Sequence, residues 1–208
     1  MPGFYQKGEY DVSGTIVGVV EKSRMLDGKS IRPGDVVLGL ESSGLHTNGY
    51  SLGRKIFFEQ MKLKPKSRVA ELGTTIGDAL LKVHVSYGLF VQAALKQFNK
   101  AGRAAVVKGL AHITGGGFVD NLPRVLPKNC DVIIRKKSWD MLPIFKMIER
   151  NGGVPEDELY QVFNMGIGMT VIVAAAKTEA VLKLAQKHGH RGWVIGEVVR
   201  GRGEARVV

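Results

Sequence analysis

The sequence predicts a layered domain that mixes strands and helices, α/β or α+β. Short β-branched apolar runs alternate with segments of helical spacing. No repeat period runs through the chain, and the 27 glycines, nearly double the usual share of about 7%, cluster beside apolar runs rather than in linkers. At 208 residues the chain is long enough for one or two domains with a proper core. Its 44% hydrophobic and 24% charged residues exclude disorder as the overall state.

In order, Gly14-Thr-Ile-Val-Gly-Val-Val-Glu21 reads as a buried strand, being β-branched and short. A turn at Leu26–Lys29 and the Pro33-Gly-Asp35 corner lead to a second strand, Val36–Leu40, with Asp35 as a turn residue. Glu41–Gly49 is a polar, glycine-bounded loop, and a helix follows over about Tyr50–Gln60. Met61–Arg68 is a basic, solvated connection. Helices are expected at Thr75–Val83 and Ser86–Lys100, the second stopped by Gly102. Strand Ala104–Leu110 runs into His112-Ile-Thr-Gly-Gly-Gly-Phe118, and Pro123 fits the first turn of a short helix ending near Leu126.

Strand Asp131–Arg135 then precedes helix Trp139–Arg150, closed by Gly152-Gly153. Pro155-Glu-Asp-Glu158 opens another helix, with acids in the first turn where the helix dipole favours them. Asn164-Met-Gly-Ile-Gly168 breaks into strand Met169–Ala175. Thr178 caps a helix to His188 that Gly189 ends, Trp193–Val199 is the last strand, and Gly201–Val208 is a glycine-rich basic tail.

Thirty Lys and Arg against 19 Asp and Glu give a net charge of +11, which suggests anionic partners: nucleic acid, a membrane surface or phosphorylated small molecules. Aromatics are 7% and do not interleave with the basic runs Lys62–Arg68, Arg135–Lys137 and Arg191–Arg206, so base-stacking platforms are missing and no nucleic-acid partner is expected. The lone Cys130 excludes a disulfide framework and a cysteine-built metal cluster, and points to a reducing compartment. No apolar run approaches the roughly 20 residues that cross a bilayer, and the first residues lack an apolar signal core. A cytoplasmic protein with no membrane partner is expected.

Three loops share one design: Ser42-Ser-Gly-Leu-His-Thr-Asn-Gly49, His112-Ile-Thr-Gly-Gly-Gly117 and Asn164-Met-Gly-Ile-Gly168. Glycines let backbone N–H groups turn inward and approach a ligand, and a following helix start adds partial positive charge, which together suit phosphate. One such cluster is equally a tight turn; three in one chain point to a site. None matches the Walker or dinucleotide-binding glycine patterns. His46 and His112 lie within two of the loops, able to touch phosphate or donate a proton. His84, between apolar residues, reads as structural, and His188 and His190 flank a helix end. Asp120 and Asn121 are placed to reach magnesium or to cap the next helix. Cys130 has no case as a nucleophile, and no protein metal ligand is assigned.

The segments Gly34–Lys55, Gly109-Leu-Ala-His-Ile-Thr-Gly-Gly-Gly-Phe118, Asn121–Pro127, Val162-Phe-Asn-Met-Gly-Ile-Gly-Met169 and Trp193-Val-Ile-Gly-Glu-Val198 together resemble the phosphoribosylformylglycinamidine cyclo-ligases, or aminoimidazole ribonucleotide synthetases, in the right order over nearly the whole chain. The resemblance implies an α+β fold in which residues 1–33 end an ATP-binding, dimerising N-terminal domain and 34–208 form the C-terminal mixed-sheet domain. Most of that first domain would be missing. It implies purine biosynthesis: ATP and Mg2+ as cofactors, a phosphorylated purine precursor as substrate, a homodimer for the complete enzyme, and an isolated chain without activity. By motif position it implies that Ser43, Gly44, His46, Thr47, Asn48 and Gly49 surround substrate phosphate or nucleotide. His112 would contact the reacting groups, Gly115, Gly116 and Gly117 would be backbone donors, and Asn164 would support the loops. One segment departs. Where the family reads Leu-Leu-x-Pro-Thr-Arg-Ile-Tyr-Val, Leu80-Leu-Lys-Val-His-Val-Ser-Tyr-Gly88 keeps only the leucines and the tyrosine, which leaves another ATP-using member of the superfamily (selenophosphate synthetase-, thiamine-monophosphate kinase- or hydrogenase-maturation-like) as the alternative, with a basic nucleic-acid-binding module last.

Overall fold

The computed structural model describes Gly8, Tyr10 and residues 12–208. Its centre is a six-stranded sheet built from β1 (Val36–Glu41), β4 (Val107–His112), β5 (Cys130–Ile134), β6 (Ile167–Val173), β7 (Gly192–Arg200) and β8 (Ala205–Val207). The strand order is β4-β6-β1-β7-β5-β8. Every neighbouring pair is antiparallel except β5 and β8. A small ribbon, β2 (Arg68–Val69) with β3 (Thr74–Thr75), stands apart from it. Among the described residues no helix is long and apolar enough to cross a membrane.

Both faces of the sheet are covered, which is why β1 is apolar at successive positions rather than alternate ones. Leu38 and Leu40 pack with Phe90 and Ala94 of α3 (Gly88–Phe98) and with Val181 and Ala185 of α7 (Thr178–Lys187). Val37 faces the other side, toward α1 (Tyr50–Arg54) and its continuation Lys55–Gln60. The same side holds α2 (Ile76–Leu80), α4 (Gly117–Asn121), α5 (Pro143–Gly152) and α6 (Glu156–Val162). The turn Lys55–Gln60 is widened to π type, and Met61 N–H reaches back to Ile56 O at 2.9 Å.

Four expectations change. Gly14–Glu21 forms no strand: Ile16, Val17 and Val19 are 98%, 86% and 100% exposed. A β-branched run becomes a strand only beside another strand's N–H and C=O groups, and the sheet offers it none. The helix expected from Trp139 begins at Pro143, whose missing N–H suits a first turn; Trp139 is extended and donates Nε1–H to Met165 O at 2.9 Å. The tail contains a strand. The buried Asp131 carboxylate gathers the N–H groups of Arg202, Gly203 and Glu204 (2.6, 3.1 and 2.9 Å), and those bonds hold its pKa below the usual carboxylate range. That clamp aligns β8 beside β5. Finally, the triple glycine is followed at once by the short helix α4.

Asp35 does more than turn the chain. Its carboxylate takes Lys108 Nζ at 2.6 and 2.8 Å and Arg32 N–H at 2.8 Å, and both side chains of the ion pair are about 95% buried. Val36 and Val107 both face Val173 from opposite sides of β6, so the pair spans that strand. Lys108→Met is expected to cost about 3–5 kcal/mol by leaving a buried carboxylate uncompensated. Asp35→Asn combined with Lys108→Met should cost less than the sum of the two single changes. Denaturant unfolding reads both; a loss below about 1 kcal/mol for Lys108→Met would contradict the assignment.

Candidate functional site

Because β6 runs antiparallel to β1 and β4 and lies between them, the ends of β1 and β4 and the start of β6 meet at one end of the sheet. The three glycine loops therefore emerge side by side, at the end opposite the Asp35–Lys108 pair. Asn164 joins two of them. Its Oδ1 accepts Ser42 Oγ–H (3.0 Å) and Gly166 N–H (2.8 Å), while its Nδ2 donates to Gly44 O (2.9 Å). The third loop is braced by Asn121, whose Nδ2 donates to Gly117 O at 2.7 Å and whose Oδ1 accepts Thr114 Oγ–H at 3.1 Å. Asn48 Oδ1 lies against Gly115, where an added Cβ would be 3.1 Å away.

Two glycines are required by close approach. A Cβ on Gly117 (φ +55) would stand 1.8 Å from Tyr160 O, so this loop is pressed onto α6. A Cβ on Gly168 would stand 2.2 Å from Tyr87 Oη and 2.5 Å from His46 Cε1. Only a bare Cα lets the histidine and the tyrosine both close over the start of β6.

Above that floor three histidines meet. His46, on the first loop with left-handed backbone (φ 58), is buried, and its Nε2 accepts N–H bonds from Ser43 (3.1 Å) and Val85 (3.4 Å). Its Nδ1 is buried without a partner among the described residues. His84 stacks on it, ring centroids 3.8 Å apart, and the Nε2 atoms of His84 and His112 face each other at 3.0 Å. Burial, with His84 and His112 adding repulsion, lowers the pKa of His46 to about 4. Burial likewise lowers His84, and burial with the neighbouring His84 lowers His112. All three rings are neutral near pH 7.

The residues expected at the site separate into groups. His46, Ser43 and His112 come together around His84; Ser43 Oγ donates to Val83 O at 2.6 Å, tying down the segment that carries His84. Gly44 is buried and spends its carbonyl on Asn164 and Ser42. Thr47 is exposed, and Asn48 lies between it and Gly115. Gly49 caps α1, and a Cβ there would strike Phe163, a packing role. Gly117 is not available as a backbone donor, since its N–H bonds Thr114 O at 3.0 Å. The N–H groups of Gly115 and Gly116 have no partner among the described residues.

His84 is not a core histidine but the middle of the cluster. No local pattern in the sequence announces it; it stands in the segment where the family motif departs. Tyr87 and Tyr50 also escaped the sequence reading. Tyr87 Oη donates to Glu41 O (2.8 Å), and Tyr50 Oη bonds the carbonyls of His46 (2.8 Å) and Leu80 (2.7 Å).

Magnesium prefers carboxylate and phosphate oxygens. Among the described residues the group of three or more metal-capable side chains is the histidine trio, Asn121 is consumed by its loop, and Asp120 lies exposed beside Gly116. These residues do not fit Mg2+.

Residues 32–208 match the family described as AIR synthase related protein, C-terminal domain. The chain is 47% identical over 203 residues to the phosphoribosylformylglycinamidine cyclo-ligase of Thermoanaerobacter pseudethanolicus, and 41% identical over 208 residues to that of Syntrophus aciditrophicus. Those alignments cover 98% and 100% of the chain but only 58% of each relative's length. Among solved structures, thiamine-monophosphate kinase from Stenotrophomonas maltophilia K279a matches with a TM-score of 0.58 at 16% identity, covering 90% of this chain and 54% of that one. Thermotoga maritima PurL complexed with ATP matches at 0.52 and 19%, covering 92% and 26%. At such identities the likeness is one of fold.

Two outcomes test this geometry. Gly168→Ala is expected to destabilise by about 1–3 kcal/mol through overpacking, and adding Tyr87→Phe, which removes the nearest clashing atom, should recover part of the loss in denaturant unfolding. An additive pair would contradict the contact. The second concerns pH. In the unfolded chain His46 takes its proton near pH 6.5, and in the folded chain only near pH 4. The unfolded state thus binds more protons in that window, so the stability is present above pH 6.5 and falls as pH drops toward 4. His46 alone should account for about 2–3 kcal/mol. Urea midpoints between pH 7.5 and 4.5, with a chelator present so that only protons compete for the rings, should decline; a flat or rising profile would be inconsistent.

Proposed function

The chain belongs to the AIR synthase related family through its C-terminal domain, and from that premise we propose that it serves the ATP-dependent closure of formylglycinamidine ribonucleotide to aminoimidazole ribonucleotide in purine biosynthesis. The observation that carries the reading is identity of 41–47% to named cyclo-ligases over almost the entire chain. The ATP-complexed PurL structure of the same fold supports nucleotide use. Because the chain spans about 58% of those relatives, the activity belongs to a protein of their length. The division at residues 33 and 34, the homodimer, the Mg2+ requirement and the inactivity of this chain alone are parts of the same proposal.

In the reaction, ATP phosphorylates the formyl oxygen, an amidine nitrogen attacks that carbon, and phosphate leaves as the imidazole ring closes. ADP, phosphate and a proton are the other products. The residues of this chain supply two elements. The N–H groups of Gly115 and Gly116, unpartnered among the described residues, could bond an anion with no internal bond to break first. Neutral His112, at the exposed end of β4, has the protonation state of a base near pH 7, and His84 at 3.0 Å is able to take up or return a proton. Ser43 and the ring stack on His46 hold that pair in place.

The complete gene product, supplied with formylglycinamidine ribonucleotide and ATP, should form aminoimidazole ribonucleotide and should rescue a purine auxotroph lacking the step. Failure of both with folded protein would overturn the reading in favour of another ATP-using activity on this fold. His112→Ala should lower kcat by about 10²-fold or more, the usual scale of lost proton-transfer catalysis, while leaving the unfolding midpoint close to that of the parent. Unchanged kinetics would make His112 structural.

A further inference from the structure

We propose that His46, His84 and His112 form a binding site for a divalent transition-metal ion of the imidazole-preferring kind, such as Zn2+, Co2+ or Ni2+. The three rings come from three separate segments, and one nitrogen of each lies within 4.8 Å of the others. In a tetrahedral zinc site, Zn–N bonds of about 2.0–2.1 Å place ligand nitrogens about 3.3 Å apart. The His84 and His112 Nε2 atoms, at 3.0 Å, already stand near that separation.

The chemistry of the donors selects the ion. Three neutral imidazoles with no carboxylate among them suit Zn2+, Co2+ or Ni2+ and not Mg2+ or Ca2+. In neutral His46 the Nε2 accepts the Ser43 and Val85 N–H groups and the proton sits on Nδ1, so ligation through Nε2 requires those two N–H bonds to give way to the ion. Between His84 and His112 one Nε2 carries the bridging proton, and a shift of that proton to the ring's Nδ1 frees both lone pairs without net proton release. A shared ion also asks the His84 ring to turn out of its stack on His46, since two planes only 22° apart do not aim at one point. His84 lies in residues 82–87, which have no regular structure, and its turning would exchange the stack on His46 and the present contact with His112 for bonds to the ion.

The site is closed on one side and open on the other. His46 is buried, His84 half-buried and His112 exposed, so three protein ligands leave at least one position to solvent. Three neutral ligands also leave the ion's full positive charge, which would draw an anionic oxygen as the next ligand. An ion there occupies the lone pair of His112 that proton transfer would use, so the two uses of this ring exclude each other.

The test uses the 208-residue chain without a histidine tag, stripped with a chelator and titrated with Co2+. One equivalent is expected to bind and give visible ligand-field bands, Zn2+ should displace it, and Mg2+ should not. His84→Ala and His112→Ala, with folding checked by circular dichroism, should each weaken binding by more than the roughly 10–100-fold typical of losing an outer-shell partner. His188→Ala, remote from the cluster, should leave it intact. As a measurement needing no variant, side-chain 15N resonances of three histidines should move together on adding one equivalent of Zn2+. Absence of binding, binding that survives both cluster variants, or shifts confined to other histidines would overturn the proposal. Binding of the ion would bear on the role of His112 as a base but not on the ring-closure reading itself, which the auxotroph decides.

Discussion

Asn164 makes one object of two loops that the chain places more than a hundred residues apart. Its buried amide has a donor and an acceptor, and both are spent: Ser42 and Gly166 on the oxygen, Gly44 on the nitrogen. An aspartate of the same shape would offer no donor to Gly44 O, and an apolar residue would leave the Gly166 N–H without its acceptor and Ser42 Oγ and Gly44 O with only each other. From this node the dependence runs outward. Gly44 and Ser42 position His46, His46 lies against bare Gly168, and the same Gly168 accepts Tyr87. The glycines that resemble a phosphate cradle in the sequence thus divide in the fold. Gly49, Gly117 and Gly168 exist for packing, whereas Gly115 and Gly116 retain open donors.

The strands β1, β4, β5, β6 and β7 and most helices were legible, because each carries its own signal: β-branched runs, glycine stops, acids at a helix start. What was not legible depended on partners distant in sequence. The run Gly14–Glu21 has strand chemistry but no strand beside it. The tail Gly201–Val208 has little strand chemistry, yet Asp131 and β5 impose strand geometry on it. At the site, His46 and His112 stood out by their glycine-rich surroundings. His84 did not, because a histidine between a valine and another valine looks the same whether it faces a core or two other histidines. Only the crossing of the 82–87 segment over the first loop decides that.

The histidine cluster also sets the electrical character of this end of the sheet. A chain of net charge +11 would be expected to gather cations wherever it meets an anion. Here it places three rings that resist protonation instead. Burial disfavours the charged form of all three rings, with repulsion from neighbouring histidines adding to it at His46 and His112, so the rings stay neutral. The end of the sheet is therefore a donor of electron pairs as well as of N–H groups, and the two kinds of donor lie on adjacent loops.

The strand order has a consequence for how the chain is made. β1 sits near the middle of the sheet, yet its two neighbours, β6 and β7, begin at Ile167 and Gly192. At the usual rate of about 5–20 residues per second, β1 leaves the ribosome roughly 7–25 s before β6 does. Throughout that interval a strand apolar on both faces has neither partner. The earlier helices and β4 cannot close the sheet without β6, since β4 pairs only with it. The segment from β6 onward thus decides whether β1 and β4 find their places in the sheet. A ribosome stalled after α5 would hold a chain with every loop histidine already synthesised and no sheet to bring them together.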